Sequence, residues 1–173
     1  MVVDFTSLDY LKDGNPRQQS AYCILTEHSV WDKLHPYDPI LAGTIPIGID
    51  IPDSDLDILC RVEDHEVFSR EMILLFGGEQ GFMTETNTHG ELLVTLVRFT
   101  LPPFELELFG QNIPTQEQNA YRHMLVEHRL LTEHGESFRQ AVIRLKEQGM
   151  KTEPAFAHLL GLAGDPYQSL LIQ

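Results

Sequence analysis

Apolar positions along the chain change period repeatedly, and each change marks an element. Between Thr6 and Leu34 they recur at helical spacing. Leu8 and Leu11 predict a short helix capped by Thr6 or Ser7 and ended by Gly14, and Tyr22, Leu25, Ser29 and Leu34 predict a second that begins at Pro16 and runs to Lys33 or Leu34. His35, Pro36 and Pro39 break the pattern before a strand from Ile40 to Thr44. A second strand spans Asp55 to Val62. Successive side chains of a strand point to opposite faces, so Asp55 and Asp57 share one face, and Leu56, Ile58 and Cys60 are expected to divide between the sheet's two sides.

Asp64 is a natural N-cap for a helix carrying Val67, Phe68, Met72, Leu75 and Phe76, stopped by Gly77-Gly78. Phe82 to Thr86 and Glu91 to Thr100 read as a hairpin that turns at Asn87-Thr88-His89-Gly90. After Pro102-Pro103 the run Phe104 to Phe109 alternates, with Glu105 and Glu107 on one face, and Gly110 is expected to end it. From Thr115 the period is helical again: one helix through Tyr121, Met124, Leu125, His128 and Leu131 to Gly135, one from Ser137 to Gly149, one entered at Thr152-Glu153-Pro154, and a last short one after Gly164-Asp165-Pro166. The order predicts an α+β (α/β-like) fold with a mixed sheet, flanking helices and a helical C-terminal third. The length suits a single domain over 1–173, with an α/β core over 1–111 and a helical region over 112–173.

Composition narrows the partners. With 12 basic against 26 acidic residues the formal charge is −14, which repels nucleic-acid backbones, so no long nucleic acid is expected as a partner. No apolar run approaches a membrane span, and the N-terminus, with Asp4 and Asp9, lacks the pattern of a secretory signal. Two cysteines far apart in sequence, Cys23 and Cys60, read as reduced thiols, and a cytoplasmic location is expected.

The chemistry concentrates between Leu41 and Cys60. Two carboxylates on one face of a strand repel each other, and their natural guest is a hard divalent cation that leaves positions open for phosphate oxygens. Gly43 lets a polyphosphate approach the backbone, and the hydroxyl of Thr44 can bond a phosphate oxygen there. An apolar residue, Gly, a small hydroxyl residue, a second Gly (Gly48), then Ser54-Asp55-Leu56-Asp57 resembles the signature of the nucleotidyltransferase superfamily, the fold of DNA polymerase beta and the minimal nucleotidyltransferases. More narrowly, the chain resembles the bacterial family DUF4269 through Gly43-Thr44-Ile45-Pro46-Ile47-Gly48, Gln118-Asn119-Ala120-Tyr121-Arg122-His123 and Lys151-Thr152-Glu153-Pro154-Ala155-Phe156.

The superfamily resemblance implies a metal-dependent transfer of a nucleotidyl group from an NTP to a small-molecule or protein acceptor. In it Asp55, Asp57 and a third carboxylate, Glu107 in preference to Glu105, are the catalytic residues and hold Mg²⁺ or Mn²⁺. Gly43 and Thr44 hold the outer phosphates, Gly48 and Ser54 belong to the same nucleotide-binding loop, and Arg122, His123 and Lys151 are candidates for a cationic grip. Ile47 stands where many active relatives carry a basic residue, and Pro46 and Pro52 predict an extended loop rather than a short helix. That pattern supports an alternative, a catalytically inactive binding or interaction module on the same fold. A weaker alternative is a HEPN-like ribonuclease, from the Arg-x4-His spacing of Arg129 and His134. No His-Glu-x-x-His box, Cys-x-x-Cys pair or Walker loop is present in the sequence.

Overall fold

The computed structural model describes residues 3–173. The helices are α1 (Asp9–Lys12), α2 (Pro16–Glu27), α3 (Val30–Leu34), α4 (His65–Phe76), α5 (Asn119–His134), α6 (Glu136–Glu147), α7 (Thr152–Leu160) and α8 (Pro166–Leu171). The strands are β1 (Ile40–Ala42), β2 (Leu56–Arg61), β3 (Gln80–His89), β4 (Leu92–Leu101) and β5 (Phe104–Gln111). They form one mixed sheet in the order β1-β2-β5-β4-β3, in which β2 and β5 are parallel and every other pair is antiparallel. The fold is α+β, as the alternation of periods implied.

Local chemistry explains where α2 and α4 begin. Asn15 accepts a hydrogen bond from Gln18 N while the Gln18 side chain accepts from Asn15 N, both at 2.9 Å, and Pro16 opens the first turn of α2. Asp64 caps α4 by accepting from Glu66 N and Val67 N.

Four expectations are corrected. The single helix expected from Pro16 to Leu34 is two, because Ser29 takes a left-handed conformation (φ 53°) between α2 and α3. The hairpin strands are longer than the sequence suggests and turn tightly at Gly90-Glu91, where Gly90 has φ +65°. Gly110 does not end its strand. A Cβ there would lie 2.8 Å from Val62 Cγ2 and 3.0 Å from the Phe68 ring, so this glycine is where α4 presses closest onto the sheet. Leu56, Ile58 and Cys60 do not divide between two sides: all three join the same core, and Leu59 joins the other.

The sheet therefore has two differently covered faces. On one, α1 to α4 share a core with the sheet: Leu11, Leu25 and Leu34 of α1 to α3 and Phe68, Met72 and Phe76 of α4 join Leu106, Leu108, Val97 and Phe99, with Phe76 and Phe99 stacked at 4.6 Å. On the other, the C-terminal helices cover the β1 end of the sheet through Tyr121, Met124, Leu131, Val142 and Phe156, against Ile40, Ala42 and Leu59. Asp57 and Glu107 belong to this second face, where helical cover gives way to a cleft.

Candidate nucleotide and metal site

Parallel pairing sets Asp57 of β2 beside Glu107 of β5, 50 residues apart in sequence. Together with Asp55 just before β2, they bring one carboxylate oxygen each to within 4.8 Å of one another. Glu105 shares the face of Glu107 but is exposed, opposite Thr100 rather than Asp57. On the far side of Glu107, the Arg98 guanidinium of β4 donates a hydrogen bond to its carboxylate. Burial, the Asp55 charge and the Glu107 charge push Asp57 up to about 8. A set of carboxylates that resists its own ionisation is what a divalent cation relieves, so these residues fit one.

The backbone beside them is shaped for close approach. Gly43 has φ +80°, and a Cβ on it would stand 2.3 Å from Asp57 Oδ2. Gly43→Ala is therefore expected to displace the Asp57 carboxylate and to cost about 1–3 kcal/mol in backbone strain. Urea denaturation measures that cost. Gly78→Ala, where a Cβ meets no atom within 4 Å, is the neutral control.

The loop from Gly43 to Asp55 is not a helix, but it is more compact than the extended segment that Pro46 and Pro52 suggest. Gly48 N donates to Ile45 O, and Ile49 N to Thr44 O, both at 3.1 Å. Its carbonyls are then held from two helices. Gln18 Nε2 donates to Ile45 O and Pro46 O, both at 2.9 Å, and Arg17 Nη2 to Pro52 O and Ser54 O. From α6, Arg139 Nη1 donates to Ile47 O and Gly48 O, and Lys146 Nζ to Ile49 O at 2.7 Å. Ser54 Oγ accepts from Ile51 N and from Thr44 Oγ1, which ties the two ends of the loop together.

A cleft of about 440 Å³ opens beside this loop, lined by Gly43, Thr44, Asp57 and residues of α5 and α7 that include His123, Glu127 and Glu153. That volume is in the range of small-molecule sites. The other expected contacts are not gathered there. Gly48 lines a separate recess with Arg139 and His128, while Arg122 and Lys151 are exposed and away from the cleft. His123 does line it, but burial lowers its pKa, so it enters as a neutral imidazole rather than a cation. Among the described residues, no lysine or arginine lines the cleft. Ile47 is buried in the core instead of facing a ligand. Arg129 and His134 are exposed; the first pairs with Glu133 at 3.9 Å and the second stacks on Phe138, so they form no joint site.

Sequence reading missed Lys146. It is buried beside Glu127, Asp50 and Asp55, and desolvation pulls its pKa down to about 8. Its helical spacing marked it only as part of an amphipathic helix, and no local signal distinguishes a lysine that turns inward.

The family profile described as "Domain of unknown function (DUF4269)" matches residues 23–172. The chain belongs to the DUF4269 family. No curated protein matches it in sequence. Among solved structures, this DUF4269 protein is similar to the GLD-2/RNP-8 complex, with a TM-score of 0.57, 12% identity, and 89% of this chain and 63% of that one covered. It is also similar to the Cid1 poly(U) polymerase with MgGTP bound (0.55, 10%, 80% and 46%) and to Cid1 with the UTP analogue UMPNPP (0.52, 12%, 80% and 44%). The DUF4269 chain thus spans less than two thirds of each of these proteins. At such identities the likeness is one of fold, and the fold is nucleotidyltransferase-like. Among the described residues, no helix is long and apolar enough to cross a membrane.

Proposed function

We propose that this chain is a metal-dependent nucleotidyltransferase that moves a nucleotidyl group from an NTP to a small-molecule or protein acceptor. The observation that carries this reading is the convergence of Asp55, Asp57 and Glu107 on adjacent strands, within 4.8 Å, beside the bare Gly43 Cα at a cleft. These three carboxylates would hold Mg²⁺ or Mn²⁺, which supplies Lewis-acid neutralisation of the phosphate oxygens. The similar solved structures are described with MgGTP and a UTP analogue bound, which supports an NTP as the donor.

The chain's own residues supply the rest. Gly43 and Thr44 meet the outer phosphates; the Thr44 hydroxyl, which donates to Ser54 Oγ in the structure, would turn its proton to a phosphate oxygen when a nucleotide binds. Glu107, oriented by Arg98, takes the proton of the acceptor hydroxyl as its oxygen bonds to the α-phosphorus and pyrophosphate leaves. The acidic lining and the −14 charge favour a small or protein acceptor over a long template.

One observation favours a second reading, a non-catalytic binding module: the cleft has no lysine or arginine lining among the described residues. Calorimetric titration of ATP, GTP, CTP and UTP, with and without Mg²⁺, decides between the two. Mg²⁺-dependent binding of a nucleotide supports the transferase. Silence with all four nucleotides supports the module.

A further inference from the structure

A second group of metal-ligating side chains lies outside the Asp55, Asp57 and Glu107 set. His123 and Glu127 stand one turn apart on α5, hence on one face, and Glu153 comes from the first turn of α7. One ligand atom from each lies within 4.8 Å of the other two, and all three line the cleft. His123 is 6% exposed and Glu127 4%. A glutamate so far removed from water is ordinarily paired. Among the described residues no hydrogen bond or ion pair is formed to the Glu127 carboxylate, which opens onto the cleft. His123 Nδ1 is likewise buried without a hydrogen-bond partner. The neighbouring cation, Lys146, directs its hydrogen bond to the Ile49 carbonyl instead.

We propose that His123, Glu127 and Glu153 form a second metal centre, distinct from the Asp55, Asp57 and Glu107 set, that binds a divalent transition-metal ion of the Zn²⁺ class. The donor set carries the choice of ion. An imidazole nitrogen with two carboxylates suits Zn²⁺ and its transition-metal neighbours, whereas Mg²⁺ and Ca²⁺ prefer oxygen donors alone. Three protein ligands would leave coordination positions free, and all three ligands line the cleft. Because the ligands come from α5 and α7, the ion joins two helices of the C-terminal region, and its binding stabilises the folded chain by mass action. The centre does not depend on the transferase reading.

The test uses metal-stripped Asp57→Asn protein, so that the first site is disabled, titrated with Co²⁺ as a visible stand-in for Zn²⁺. The expected result is one equivalent of Co²⁺ with ligand-field absorption, displaced by Zn²⁺ and not by Mg²⁺. Adding Glu153→Gln or His123→Ala should weaken that binding by at least about 100-fold, the upper end of what losing even an outer partner of a ligand costs. Circular dichroism checks that the double variants fold. Independently of them, the His123 ring resonances of the Asp57→Asn protein should shift on adding Zn²⁺. Absence of the Co²⁺ equivalent, its survival in both double variants, or an unmoved His123 ring would overturn the proposal. Loss of Mg²⁺-nucleotide binding in Asp57→Asn is a separate readout that bears only on the first site.

Discussion

Asp57→Asn is expected to lower Mg²⁺-dependent nucleotide affinity by at least about 100-fold while raising the melting temperature of the metal-free protein. The two effects share one cause. In the fold, burial and the charges of Asp55 and Glu107 push Asp57 up to about 8 from its ordinary 3.8. Folding therefore favours the protonated carboxyl. Its contribution to stability is complete below about 3.8 and is lost progressively as the pH rises to about 8, because the unfolded chain releases that proton first. Asparagine carries no such dependence. The variant should gain on the wild type across that window, by roughly 3 °C or more at its upper end, and then hold a constant advantage.

Added Mg²⁺ should raise the melting temperature of the wild type and leave that of the variant nearly unchanged, since the cation relieves a repulsion the variant no longer has. Thermal scans at several pH values, with and without Mg²⁺, check the stability half, and the four-nucleotide titration repeated on the variant checks the affinity half. A variant that binds Mg²⁺-nucleotide as the wild type does would remove Asp57 from the site. Glu127, also pushed up to about 8 by burial, from an ordinary 4.5, acts in the same direction. Some downward slope of stability with pH should therefore remain in Asp57→Asn, and Glu127→Gln should reduce it, leaving the smaller part that Glu107, also raised by burial, contributes.

Phe156→Ala is expected to cost about 3–5 kcal/mol of folding free energy. Phe156 has no exposed surface and lies in the core that holds the C-terminal helices to the sheet, with its ring edge-on to Phe138 at 5.6 Å. Rigid neighbours on α5, α6 and β1 surround it, so the cavity left by truncation has little means of closing. At this chain length the loss corresponds to a fall of roughly 6–20 °C in melting temperature. The consequence reaches the cleft, because α7 carries both Phe156 and Glu153. Chemical denaturation measures the stability term. A loss under about 1 kcal/mol would mean that the helical third is not seated on the sheet through this ring.

The parts of the site that the sequence alone determined are those written in local chemistry. Asp55 and Asp57 share a face because a strand has a period of two, wherever that strand is placed. The ends of α2 and α4 follow from Asn15, Pro16 and Asp64, whose side chains or rings act within three residues. The change from strand to helix period near Thr115 set the α+β class, and Gly43 stood out because its neighbours spelled a phosphate-binding pattern.

Tertiary structure decided the rest. Whether Glu105 or Glu107 joins the aspartates depends on the register between β2 and β5, which the packing of α4 and the sheet fixes across some fifty residues. Gly110 looks like a strand terminator until Phe68 is seen against it. Nothing local singles out Arg17, Gln18, Arg139 and Lys146, yet they hold the loop, because its carbonyls would otherwise be left unsatisfied away from water. Burial, which no local signal announces, lowers the His123 pKa and sets its ring beside Glu127 and Glu153. Local signals act over a few residues and survive in the string of letters. Charge state, register and convergence depend on which distant surfaces are pressed together, and only the packed chain specifies those.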